Sequence, residues 1–112
     1  MMEPADGALK GTPFDLADAV AYADGSVVSK TLLKKESGNI TLFAFDKGQG
    51  LSEHTAPFDA VVYILDGQAD ITIGGKAQSV AAGSMLIMPA NISHALHAAE
   101  RFKMLLIMIR SR

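Results

Sequence analysis

The sequence predicts an all-β protein, an antiparallel sandwich or barrel, and three observations carry that reading. From Ser37 onward turn signals recur about every 8 to 12 residues, at Ser37-Gly38-Asn39, Asp46-Lys47-Gly48, Asp66-Gly67, Gly74-Gly75, Ala82-Gly83-Ser84 and Pro89-Ala90-Asn91. The segments between them are strand-length and rich in β-branched and aromatic residues. Asp-Gly and Gly-Gly between apolar segments are hairpin signals, because glycine reaches positive φ without a Cβ clash. Short segments with frequent turns belong to antiparallel sheets and not to βαβ units.

Taken in order, the chain opens with residues 1–12, which read as flexible. Thr12-Pro13-Phe14-Asp15 then offers a capping Thr, a Pro at the first helical position and an acid two residues later. Leu16, Ala17, Ala19, Val20 and Ala21 favour one or two helical turns, closed by Asp24-Gly25. Strands are expected over Val27–Leu33, Ile40–Phe45, Val61–Leu65, Ala69–Ile73, Met85–Met88 and Phe102–Ile109. With no repeat, low-complexity tract or linker, residues 1–112 read as one domain.

Composition narrows the function. Ten Lys and Arg against twelve Asp and Glu leave a net charge of −2, too little basic field for nucleic acid. The absence of cysteine removes disulfides, thiolate metal sites and cysteine nucleophiles together. The longest apolar run, Met104–Ile109, is too short to cross a bilayer, and the first dozen residues carry no signal-peptide core. A soluble, cytoplasmic protein without a membrane partner is expected. Gly48-Gln49-Gly50 lacks the lysine of a phosphate loop, and Ser52, Ser84 and Ser93 lack a nucleophile-elbow context.

Two segments, Ala60–Leu65 and Met104–Ile109, are apolar on both faces. A half-exposed sheet alternates apolar and polar residues, so continuous apolar strands call for a second cover. A homodimer that packs sheet on sheet is the simplest one.

Two stretches resemble the paired motifs of the cupin superfamily. Gly48 is followed by five residues and His54, and this first motif closes at Gly67. On that register Ala56 stands at the family's second His position and Ala60 at its Glu position. The second motif runs from Gly83 through five residues to Pro89, with Asn91 in place of Gly, His94, and Ala98 in place of Asn. Fifteen residues, Gln68 to Ala82, separate the two, the short spacing of small cupins. The resemblance implies a cupin-type antiparallel barrel, a double-stranded β-helix or jelly roll, with motifs over 48–67 and 83–98.

Cupins hold a divalent metal, iron, manganese, nickel or zinc, on three His and one Glu. Here the resemblance retains only His54 and His94 as metal positions. Positions 54, 56 and 60 share parity, so an uninterrupted strand points them to one face. On strand geometry none of His97, Asp59 and Glu53 makes a good third ligand, and His97 reads as a surface or interface residue. Replacing a His and a Glu by Ala56 and Ala60 should leave a wider, more apolar interior, suited to a small organic molecule with one or two polar groups. Phe58, Val62, Leu96 and Met88 are candidate walls beside His54, Ala56, Ala60 and His94. Met85, Met88, Met104 and Met108 read as core gap-fillers, since no Met-x-Met cluster with His marks a copper site. The expected function is therefore small-molecule binding near His54 and His94. The alternative is a metal-dependent dioxygenase or isomerase that uses the two histidines as ligands.

Overall fold

The computed structural model describes residues 10–110. Most of the expectation that residues 1–12 are flexible therefore falls outside the described residues. Nine strands follow one short helical turn: β1 (Val27–Lys35), β2 (Gly38–Phe45), β3 (Gly50–His54), β4 (Phe58–Asp66), β5 (Gln68–Ile73), β6 (Lys76–Ala81), β7 (Met85–Met88), β8 (His94–His97) and β9 (Phe102–Arg110). They form two antiparallel sheets, one ordered β1-β2-β9-β4-β7 and the other β3-β8-β5-β6. This is the expected two-sheet jelly roll.

Local chemistry explains the joints. Gly74 and Gly75 have φ of 56° and 83°, and Ile73 pairs directly with Lys76 across them. Two consecutive positive φ values make the turn whose twist matches the flanking strands, and only glycine enters it without strain. Between the sheets lies a core that includes Phe45, Val62, Ile64, Ile71, Phe102 and Met104, all fully buried. Phe45 and Phe102 stack with ring centroids 4.5 Å apart.

The helical expectation over Leu16–Ala21 is realised only as a 3-10 turn, Ala17–Ala19. Asp15, and not Thr12, braces the turn from outside it: its carboxylate accepts a hydrogen bond of 3.0 Å from the Asp18 amide. The segment serves as a cover. Val20 is buried against Leu42 and Ala44 on the outer face of the five-stranded sheet, with Leu16, Tyr22, Leu65 and Leu105 around them. The Tyr22 hydroxyl donates to Asp66 at 2.6 Å, and the Arg101 guanidinium lies 4.3 Å from the Tyr22 ring centre. Burial and the Asp66 carboxylate both push the phenol's pKa up. No helix among the described residues is long and apolar enough to span a membrane.

The rest of that outer face has no cover among the described residues. Leu33 pairs with Ile40, Ile40 with Ile107, Ile107 with Val61, and Val61 with Ile87. One row of aliphatic side chains thus crosses all five strands, about 19 Å at the usual interstrand spacing. Ile87, Ile109 and Met85 are more than half exposed at its margins.

Candidate functional site

The site begins with an irregularity in β3. Gly50 pairs with His97 and Leu51 with Leu96, but His54 pairs with His94 after a register shift. In a regular ladder Glu53 would face His94; one extra residue in β3 sets His54 there instead. Such bulges re-aim side chains, and this one explains why Leu51 and His54, three apart, line the same hollow. The two imidazoles meet edge to face with centroids 4.5 Å apart and planes at 68°. His94 is buried while His54 lies at the exposed rim.

Both rings are held alike. His54 Nδ1 lies 2.8 Å from the Ser52 carbonyl, and His94 Nδ1 lies 3.2 Å from the Ile92 carbonyl. A carbonyl oxygen only accepts, so each Nδ1 carries the proton and donates it. In the neutral form of either ring, Nε2 is then the atom with a lone pair for the hollow that the rings line. Burial lowers the pKa of His94; the charge of His54 adds to this, and the Ile92 bond opposes it. The deeper ring is thus kept neutral.

Beyond His54 the chain leaves the small sheet. Residues 55–57 cross over, and β4 begins at Phe58 in the five-stranded sheet. The expected uninterrupted strand from 54 to 60 is therefore corrected: the three positions lie on two sheets and a connection. His54, Ala56, Phe58 and Ala60 still line one hollow, together with His94, Leu96 and Met88. Leu51, Met104, Leu106 and Met108 complete it. Val62 does not take part; it is fully buried in the core, where Leu86 and Leu106 stand opposite it. The hollow offers about 50 Å³ to water-sized occupants, inside a recess of about 400 Å³ that takes in solvent at its mouth.

Four wall residues escaped the sequence reading. Leu51 was hidden by the bulge, which leaves no glycine or proline signal. Met104, Leu106 and Met108 alternate on β9, but a strand apolar on both faces does not say which face is inward. The register on either side of Ala60 is informative. Met88 of β7 and Met108 of β9 both lie directly opposite it. Methionine thus flanks Ala60, the position where the cupin motif carries its Glu, and flexible thioethers take up part of the space.

The remaining titratable candidates point elsewhere. Asp59 accepts a 2.9 Å hydrogen bond from the Ala90 amide, so it ties the loop after β7 to β4. Glu53 and His97 are exposed. The motif ends, by contrast, converge. The Gly48 amide donates to the Ala98 carbonyl at 2.7 Å, and the Ala98 amide donates to Gln49 at 2.8 Å. Asn91 has φ of 66°, the left-handed conformation that Asn tolerates best after Gly, so its replacement of Gly preserves the turn.

The family model described as "Cupin domain" matches residues 41–110. This chain is a cupin. It is similar to a conserved protein of unknown function from Streptococcus pyogenes, 40% identical with a TM-score of 0.87 over 91% of this chain and 90% of that one. A cupin 2 conserved barrel domain protein from Leptotrichia buccalis is 43% identical with a TM-score of 0.84, over 87% of this chain. This cupin spans 47% of that protein. An uncharacterised protein of Streptomyces coelicolor is 31% identical over 77 residues, 69% of this cupin and 71% of that relative.

The family implies a divalent metal, but the residues of this cupin do not make the set that holds one. Two imidazoles are present, alanine stands at both other positions, and Asp59 is engaged elsewhere. Among the described residues no group of three or more His, Cys, Asp or Glu is placed to hold a metal. Divalent sites of this kind take about three such ligands.

Proposed function

We propose that this cupin binds a small organic molecule, with its polar end on His54 and His94 and its apolar part along the hollow. One observation carries the reading: two imidazoles, each tied through Nδ1 to a backbone carbonyl, stand over walls that are otherwise hydrocarbon and thioether. A lone pair accepts, so the matching molecule carries a hydroxyl, a phenol or another protic group. Volume limits its inner end. A cavity of about 150 Å³ encloses benzene, so the roughly 50 Å³ here admits a head group of a few atoms, with the remainder in the recess.

A fragment screen by thermal shift on metal-free protein tests this. A protic fragment at about ten times its Kd stabilises by about 1.4 kcal/mol, or about 5 °C for a chain of this size. The shift should vanish in the His54→Ala, His94→Ala double variant. Fragments that all leave the melting temperature unchanged, or shift it equally in that variant, count against the proposal.

The same proposal includes a homodimer through the outer face of the five-stranded sheet. Its support is the aliphatic row from Leu33 to Ile87 and the exposed Met85, Ile87 and Ile109 beside it. A row about 19 Å long and three residues deep makes a patch near the upper limit for a monomer. It is the apolar centre of an interface of about 800 Å² per partner. Light scattering should report twice the chain mass, reduced to one by Ile87→Glu with Ile107→Lys. A wild-type monomer at micromolar concentration rejects the dimer.

A further inference from the structure

We propose that the hollow is also a site for a soft monovalent metal ion, copper(I), held by the Nε2 atoms of His54 and His94 and the thioether sulfurs of Met88 and Met108. The inference goes beyond the small-molecule reading and does not rest on it, since it concerns the donors and not an organic occupant.

The juxtaposition is created by the fold. Met88 and Met108 are twenty residues apart in sequence, yet they flank Ala60 from the two neighbouring strands of one sheet. Side chains directly opposite on one face of a sheet have Cβ atoms about 5 Å apart. Both therefore stand over the alanine that replaces the family's carboxylate, and both line the small hollow shared by the two rings. Met104, fully buried on β9, adds a third thioether to that wall. The sequence showed no copper signature because these sulfurs come from separate strands, not from a Met-x-Met run.

Two physical arguments choose the ion. Thioether is a soft donor that selects copper(I), whereas iron, manganese and zinc sites draw on carboxylate, imidazole or thiolate. Charge points the same way. The walls carry no anion, so a bound ion keeps its full charge in an apolar surrounding. The solvation cost grows with the square of the charge, about fourfold higher for a divalent than for a monovalent ion. Imidazole and thioether are neutral ligands that complete a singly charged complex. The two Nδ1–H···O=C bonds fix the rings with Nε2 free, as a ligating histidine requires.

The test is an anaerobic titration of metal-free protein with copper(I) against a chromophoric copper(I) chelator, with silver(I) as a redox-inert counterpart and zinc(II) and manganese(II) as comparators. One equivalent of copper(I) should be withdrawn from the chelator, with zinc(II) and manganese(II) bound about a hundredfold more weakly. Met88→Leu with Met108→Leu conserves volume and removes only sulfur, so the barrel should persist while copper(I) affinity falls about tenfold or more. In wild-type protein, silver(I) should shift the methyl resonances of Met88 and Met108, a readout that needs no variant. The proposal is overturned by unaltered copper(I) affinity in the leucine variant, by unmoved methionine methyls, by zinc(II) or manganese(II) binding as tightly, or by no withdrawal from the chelator. None of these outcomes bears on the fragment screen of metal-free protein, so the two proposals fail separately.

Discussion

His54 stands directly opposite His94 because β3 carries one residue more than β8 across the same interval. The pairing joins an exposed ring to a buried one, and the buried ring should respond to acid through folding stability. His94 has a lowered pKa in the folded protein, chiefly through burial. Below about pH 6.5 the unfolded chain takes up a proton there that the folded chain resists, so stability falls with pH until the lowered folded value is passed. Melting temperatures should drop between about pH 7 and pH 5, and His94→Phe should flatten that part of the profile. An equal acid slope in the variant assigns the loss to other groups.

Restoring the missing donors should change the metal preference. Ala60 is almost fully buried between Met88 and Met108, so Ala60→Glu places a carboxyl among thioethers. We expect a loss of about 1–3 kcal/mol in metal-free protein, measured by urea unfolding. Combined with Ala56→His it should raise manganese(II) or zinc(II) affinity, and stability should recover when either ion is added. A double variant that melts identically with and without these ions contradicts the account of why the native residues fail to hold them.

Asn91 offers a backbone test. Its φ of 66° suits Asn or Gly and penalises a β-branched side chain. Asn91→Gly should stay within about 0.5 kcal/mol of wild type, and Asn91→Val should cost about 1–2 kcal/mol. The Asn91 amide donates to the Ala56 carbonyl at 2.8 Å, so the valine variant should also disturb Ala56 in an amide chemical-shift map.

Gly50 tests close approach and not left-handed geometry. A Cβ built there lies 2.3 Å from the Leu96 carbonyl oxygen, a backbone atom of the paired strand. Gly50→Ala must push β3 away from β8. We expect a loss of about 1–3 kcal/mol and a weaker response to any ligand that needs both imidazoles, seen in thermal shifts on the variant.

The strands with strong side-chain signals were legible in the sequence. Met85–Met88 is found as expected, and Ile40–Phe45, Ala69–Ile73 and Phe102–Ile109 each lie within a slightly longer strand. His54 and His94 were expected on strands without bounds, found as Gly50–His54 and His94–His97, whereas Lys76–Ala81 gives no strand signal of its own. Lys76–Ala81 is exposed at every position but Val80, so pairing with β5 makes it a strand and its own pattern does not. The site divides the same way. Motif spacing identified His54 and His94, and parity along β4 placed Phe58 and Ala60 on the hollow. Val62 was misplaced because parity fixes a face and not a depth. Leu51 and the β9 methionines depend on a bulge and on sheet order, which arise only when distant strands meet.

In the order β3-β8-β5-β6, the strand bearing His54 is an outermost one, attached to a single neighbour through a few rungs. The large hydrophobic residues that hold the molecule together, Phe45, Ile64, Ile71 and Phe102 among them, all lie on other strands. Selection can therefore rewrite the rim nearly independently of the scaffold. A change of side chain at position 54 can thus alter what the hollow accepts at small cost to folding.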